Sequence, residues 1–142
     1  MSSDESKNII RRFVVEAFER FNAAAMPELV TPDFRTDAFA GFGVPDGPAG
    51  IQQAVAILGA AFSNARVEID DLIAEGDRVV MRYRWAADHT GPIMAIAATS
   101  KRVQMPGILI ARIVDGKLAE YWRQEDMLGL LRQLGAFPPA AA

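Results

Sequence analysis

With 142 residues, 51% of them hydrophobic and 23% charged, the chain has the length and composition of one globular domain rather than a disordered segment. The 15 basic and 18 acidic residues give a net charge of −3, so no basic excess exists to attract a nucleic acid. The lack of cysteine and the single histidine exclude disulfides and thiolate metal sites and argue against a histidine-rich metal cluster.

No apolar run is long enough to span a membrane, and the polar, acidic N-terminus lacks the basic start and apolar core of a secretory signal. We therefore expect a cytoplasmic protein with no membrane or nucleic-acid partner. A single domain should cover residues 1–137, and residues 138–142 should form a frayed tail.

The first part of the chain has helical spacing. Ser2 and Glu5 have the spacing of a capping box, although Ser3 or Ser6 could equally cap this helix, and Pro48 is placed as the first residue of a later helix. The expected elements are a helix carrying Ile10 to Phe21, a short helix near 27–30, an extended piece at 33–40, a loop at 42–47 and a helix carrying Ile51 to Phe62.

After Asn64 the apolar residues alternate with polar ones, which predicts strands. The expected elements are strands near 67–73, 79–85, 103–114 and 117–123, an Ala-, Gly- and Thr-rich excursion at 86–100, and a last helix at 127–134. Asp115-Gly116 is typical of a tight hairpin turn. Helices followed by an antiparallel meander predict an α+β fold, in which a curved sheet wraps the N-terminal helices as a cone-shaped barrel with an internal pocket.

Several short motifs, in order and nearly end to end, resemble the SnoaL-like polyketide cyclases. They are Ile10-Arg11-Arg12, Pro32-Asp33-Phe34, Gly47-Pro48, His89-Thr90-Gly91, Arg112-Ile113-Val114-Asp115-Gly116-Lys117 and Leu131-Arg132-Gln133-Leu134-Gly135. The resemblance implies the cone fold of nuclear transport factor 2, a homodimer, and cyclisation or isomerisation of a hydrophobic, polyketide-like carbonyl compound without metal or organic cofactor.

The residues that the founding cyclases use for catalysis are replaced here. By the resemblance, the acid/base aspartate falls on Arg123, the histidine on Leu109, the glutamine on Gly107 and the asparagine on Thr36. A leucine cannot donate a hydrogen bond and an arginine cannot act as a base near neutral pH. Neither Leu109 nor Arg123 can therefore supply the base that forms an enolate.

If those positions face the hollow, alternation along the strand brings Tyr121 into it as well. The candidate ligand-binding residues are Thr36, Met81, Tyr83, Trp85, Gly107 and Leu109. An alternative interpretation is that the aromatic residues simply fill the core.

Four residues are candidates for catalysis. Asp37 or His89 would move the proton, and Tyr121 or Arg123 would stabilise an oxyanion. Three of them also have a simpler interpretation: Asp37 as an exposed loop acid, His89 as a turn cap or guard of the pocket mouth in a hairpin loop, and Arg123 as a solvated charge or a partner of Asp37.

Asp126, which precedes an apolar helical run, is interpreted as a helix cap rather than a relocated acid/base. Alternation along the strands places Trp122, Ile108 and Ile110 on the outer face of the sheet. An apolar patch of this kind predicts a homodimer joined through the convex sheet faces. The enzyme hypothesis competes with a non-catalytic module that binds a lipophilic metabolite, and with an epoxide hydrolase of the same fold.

Overall fold

The computed structural model describes residues 1–137; the predicted frayed tail at 138–142 lies outside the described residues. The helices are α1 (Ser3–Val14), α2 (Met26–Leu29), α3 (Gly47–Ala61) and α4 (Met127–Gln133). The strands are β1 (Val30–Thr36), β2 (Phe62–Glu75), β3 (Arg78–His89), β4 (Arg102–Val114) and β5 (Lys117–Glu125). No helix within residues 1–137 combines the length and apolar character needed to cross a membrane.

The five strands form one curved, unclosed sheet in the order β1-β5-β4-β3-β2. Neighbouring strands are antiparallel except at one edge, where β1 pairs in parallel with β5. The predicted α+β fold, with a curved sheet around N-terminal helices, is confirmed. The parallel edge joins the first strand in the chain to the last one.

Several element boundaries differ from those expected, among them those of β1 and β3. The edge strand covers Val30–Thr36 rather than 33–40, and β3 continues to His89 through a segment expected to be irregular. Ala87 is fully buried and pairs with Val103, so buried and partly exposed residues still alternate along this part of the strand. The sequence does not show this alternation clearly, because alanine is only weakly hydrophobic. The excursion therefore begins only after His89.

The helices pack against the concave face of the sheet. The capping box is present at α1: the Glu5 N–H donates to Ser2 Oγ and the Ser2 N–H donates to Glu5 Oε2, each over 3.1 Å. The helix continues into a wider π-helical turn at Val15–Glu19. There the Phe18 carbonyl accepts a 3.0 Å hydrogen bond from the indole of Trp85 on β3. Burial is confirmed for the aromatic and aliphatic residues predicted to face the sheet: Phe13, Phe18, Leu58 and Phe62.

The convex face carries an apolar row that crosses four strands. Cross-strand pairing aligns Ile73 with Val80, Val80 with Ile110, and Ile110 with Trp122. Ile73 and Ile110 are 60% and 39% exposed, and the neighbouring Ile108 is 49% exposed. The predicted outward orientation of Ile108 and Ile110 is confirmed.

The side chain of Asp126 caps α4, as predicted, by accepting a 2.9 Å hydrogen bond from the Gly129 N–H. We expect Asp126→Ala to lower the free energy of unfolding by about 1 kcal/mol, since the first turn of the helix loses its acceptor. Asp126→Asn should change it by only a few tenths, because asparagine caps about as well. Urea titrations of both variants measure this, and equal losses for the two would contradict the capping role.

Candidate active site

A cavity opens between the concave face of the sheet and the helices. It contains about 630 Å³ of empty space, part of which is open solvent. Most of its wall is apolar and aromatic, and the residues that line it are Val14, Phe18, Phe42, Leu58, Phe62, Val67, Tyr83, Trp85, Ile93, Met94, Met105, Leu109, Tyr121, Arg123, Glu125, Met127 and Leu130. An apolar hollow with a few convergent polar groups is the usual form of a small-molecule site.

The polar groups of the cavity converge on an ion pair. Arg123 Nε lies 2.7 Å from Glu125 Oε1, and the two side chains are only 9% and 8% exposed. Both residues project from the same face of β5, two positions apart. Within residues 1–137, no three histidine or acidic side chains gather as ligands of a metal ion.

Aromatic rings cover the guanidinium. Arg123 Cζ lies 4.5 Å from the ring centroid of Phe39 and 5.4 Å from that of Phe18. Phe39 follows a turn in which the Ala38 N–H donates to Thr36 Oγ1 over 3.1 Å. The rings offer the cation their negative faces in place of water.

A tyrosine holds the second oxygen of the carboxylate. The Tyr83 hydroxyl donates a hydrogen bond to Glu125 Oε2 over 3.1 Å, while Oε1 faces Arg123. Each carboxylate oxygen therefore has its own partner and keeps a further lone pair for a ligand. The carboxylate is fixed in orientation but still has lone pairs free to accept a proton.

The surroundings keep both tyrosines neutral. Burial is the main cause that raises the pKa of Tyr83 well above 10, with smaller contributions from Tyr121 and Glu125. Burial also raises the pKa of Tyr121 to about 12, although Arg123 acts in the opposite direction. For Arg123 burial opposes the charge, but Tyr121 and Glu125 outweigh it and the pKa is raised. At neutral pH the cavity thus presents phenol donors and one guanidinium.

The structure brings half of the sequence-predicted site residues together. Tyr83, Trp85, Leu109, Tyr121 and Arg123 line the cavity. Met81 and Gly107 are buried on the same face of the sheet without being among the lining residues. Thr36 and Asp37 lie outside the cavity wall, in the turn that leads to Phe39.

Asp37 and His89 are not placed beside the polar cluster. Asp37 is exposed, and Arg123 pairs with Glu125 rather than with it. His89 lies at the end of β3 instead of in a hairpin loop, and it is fully buried. Its Nδ1 lies 2.9 Å from Thr99 Oγ1 and accepts a 3.2 Å hydrogen bond from the Thr99 N–H. This pairing ties the strand end to the segment that returns to β4.

Glu125 is the residue that sequence reasoning missed. The strand was expected to end near Arg123, so the next inward position was not considered. The signal was present, since the alternation that places Tyr121 and Arg123 inward places Glu125 inward as well. Asp126, the neighbouring acid, is exposed and occupied as a cap.

Comparisons with known proteins agree on one family. Residues 8–134 match the family model described as SnoaL-like polyketide cyclase. The chain is 30% identical over 123 residues to nogalonic acid methyl ester cyclase of Streptomyces nogalater, covering 86% of this chain and 92% of that protein. It is 34% identical over 90 residues to aklanonic acid methyl ester cyclase of Streptomyces peucetius, covering 63% and 62%.

A solved structure, TsrD from Streptomyces laurentii, superposes with a TM-score of 0.84 at 27% identity. The match covers 96% of this chain and 99% of that one. The fold therefore extends over nearly the whole length of both proteins.

The raised tyrosine pKa values predict an alkaline response. The chain has two tyrosines, and the folded state favours their neutral forms. This contribution to the free energy of unfolding is fully present below pH 10 and is lost as the pH rises through the raised tyrosine pKa values. We expect almost no tyrosinate absorbance from the folded protein at pH 10, whereas protein unfolded in denaturant is about half ionised there. A folded protein that titrates like the unfolded one would contradict the buried placement.

Proposed function

The chain belongs to the SnoaL-like polyketide cyclase family, and on that basis we propose that it is a cofactor-independent cyclase or isomerase of a hydrophobic, polyketide-like carbonyl compound. Glu125 acts as the acid/base, and Arg123 and Tyr121 stabilise the oxyanion. The proposal replaces Asp37 and His89 in the proton-transfer role with Glu125.

The observation that carries the proposal is the position of Glu125. Its carboxylate is nearly buried, lies in the wall of an apolar cavity and is adjacent to a guanidinium. A base must come within hydrogen-bond reach of the proton that it removes, and an oxyanion needs fixed donors nearby. Glu125 and Arg123 offer both functions at one place, although Arg123 occupies the position of the family's acid/base aspartate.

The proposed reaction balances without a co-reactant. Glu125 removes a proton from the carbon next to a carbonyl, and the electron pair moves to the carbonyl oxygen, which Arg123 and Tyr121 hold as an enolate. The enolate carbon then attacks a second carbonyl of the same molecule and forms the ring bond. The resulting alkoxide takes the proton back from Glu125, so substrate and product are isomers.

The apolar wall supports this role by holding the chain of a hydrophobic substrate in one folded arrangement. Intramolecular closure gains much of its rate from such positioning. The competing hypothesis is a binding module that uses the same wall without chemistry. The two differ in what Glu125 does: an acid/base is essential for turnover and dispensable for binding.

We expect the protein to cyclise nogalonic or aklanonic acid methyl ester, the compounds that appear in the names of the two relatives described above. Glu125→Gln should lower kcat by roughly 10²- to 10⁴-fold, because glutamine cannot accept the proton. Arg123→Ala should lower it by about 10²-fold through the loss of a donor to the oxyanion. Product formation followed by chromatography measures both.

Asp126→Asn and Asp37→Asn are matched controls, since both acids are exposed outside the cavity and should leave turnover largely intact. Loss of turnover in Asp126→Asn but not in Glu125→Gln would mean that Asp126, and not Glu125, is the acid/base. Tight binding of these esters with no turnover in the wild type, unchanged by Glu125→Gln, would favour the binding module.

We also propose that the protein is a homodimer joined through the convex sheet faces. The row formed by Ile73, Val80, Ile110 and Trp122 presents apolar side chains across four strands to the outside. A second copy of the same face would cover this row, as a two-fold interface requires.

We expect Ile110→Lys to shift the protein from dimer to monomer, because each dimer would bury the new charge twice. Ile57→Lys is the matched control: Ile57 is similarly exposed, at 36% against 39%, but lies on α3. Light scattering at micromolar concentration distinguishes the two states. A monomeric wild type, or equal disruption by the control, would contradict the interface.

A further inference from the structure

One row across the sheet has a gap at its centre. Tyr83 on β3 pairs with Gly107 on β4, and Gly107 pairs with Glu125 on β5. Adjacent strands lie about 4.8 Å apart, so the outer two residues of the row are separated by a whole strand. Their side chains meet nevertheless, because the Tyr83 hydroxyl reaches Glu125 Oε2 over 3.1 Å.

The meeting takes place above Gly107. A Cβ atom at this position would lie 2.6 Å from Tyr83 Oη and 2.7 Å from its Cζ, closer than real contacts allow. It would also lie 3.1 Å from the Gln124 carbonyl oxygen. The tyrosine can therefore occupy its present position only because residue 107 has no side chain.

We propose that Gly107 and Tyr83 act together as positioning residues for Glu125: the glycine opens a path across β4, and the tyrosine uses it to hold the carboxylate in a fixed orientation. The inference rests on the proposed function of Glu125 as acid/base. It adds two residues that act through Glu125.

The chemistry of the contact supports this role. Tyr83 is 6% exposed, and burial, the largest cause, raises its pKa, so the phenol remains a donor wherever the protein is folded. A donor to a carboxylate stabilises the charged form over the acid. With Arg123 on one oxygen and Tyr83 on the other, the carboxylate cannot rotate freely.

The test is the ¹³C NMR chemical shift of the Glu125 carboxyl carbon at neutral pH in glutamate-labelled protein, with the signal assigned through its loss in Glu125→Gln. In Tyr83→Phe we expect this signal to move, because the carboxylate loses one of the two partners that orient it. Gly107→Ala should move it in the same direction by displacing the tyrosine. The double variant should show no more than the larger single shift.

Gly41→Ala is the control for adding a methyl group, because no atom lies within 4 Å of the corresponding Cβ position. It should leave the Glu125 signal unchanged. An unchanged Glu125 signal in Tyr83→Phe would overturn the proposal, as would independent, additive shifts from the two single variants. If Gly107→Ala does not fold, Tyr83→Phe still decides the matter, since it removes a single oxygen atom.

The NMR measurement needs no substrate, so its outcome is separate from that of the proposed function. A protein without cyclase activity could still show the coupled shifts of the Glu125 signal. An active cyclase with an unmoved Glu125 signal would retain Glu125 as acid/base and lose only the positioning role of Gly107 and Tyr83.

Discussion

The buried pair of Arg123 and Glu125 constrains the rest of the cavity. Moving such charges out of water costs several kcal/mol for each ion, and mutual attraction repays this only when other groups replace the lost water. Here the faces of Phe18 and Phe39 lie near the guanidinium, and the Tyr83 hydroxyl satisfies the carboxylate. Replacing a buried ion pair by apolar residues of similar volume often leaves stability unchanged or raises it, so the presence of this pair supports the proposed chemistry more than a purely structural role.

The alternation of side chains along β5 determines which of its residues face the cavity. On β5, Tyr121, Arg123 and Glu125 face inward, while Trp122 lies in the outer row. The next acid, Asp126, stands one residue later and serves as a helix cap instead. Adjacent acids thus have different roles because one ends the strand and the other begins the turn into α4. The same curvature that closes the cavity inside leaves the apolar row on the outside.

Periodicity was sufficient to predict the α+β order, and short local motifs were sufficient for the capping box and the cap at Asp126. The inward face carrying Tyr121 and Arg123 was predicted from the family resemblance together with alternation along the strand. Periodicity was insufficient for Glu125, because hydropathy marks the end of a strand where apolar residues stop, and it gives no sign that a polar side chain is buried by pairing. The clearance above Gly107 could not be predicted either. It depends on which side chain crosses from β3, and that follows only from the register between strands.

In the proposed function, Glu125 removes a proton next to a carbonyl inside this cavity. The most direct test of this step is the exchange of that proton for deuterium in D₂O, with a ketone analogue of the substrate that lacks the second carbonyl and cannot close a ring. We expect the wild-type protein to catalyse this exchange and Glu125→Gln to abolish it. Equal exchange rates in the two proteins would contradict this role of Glu125.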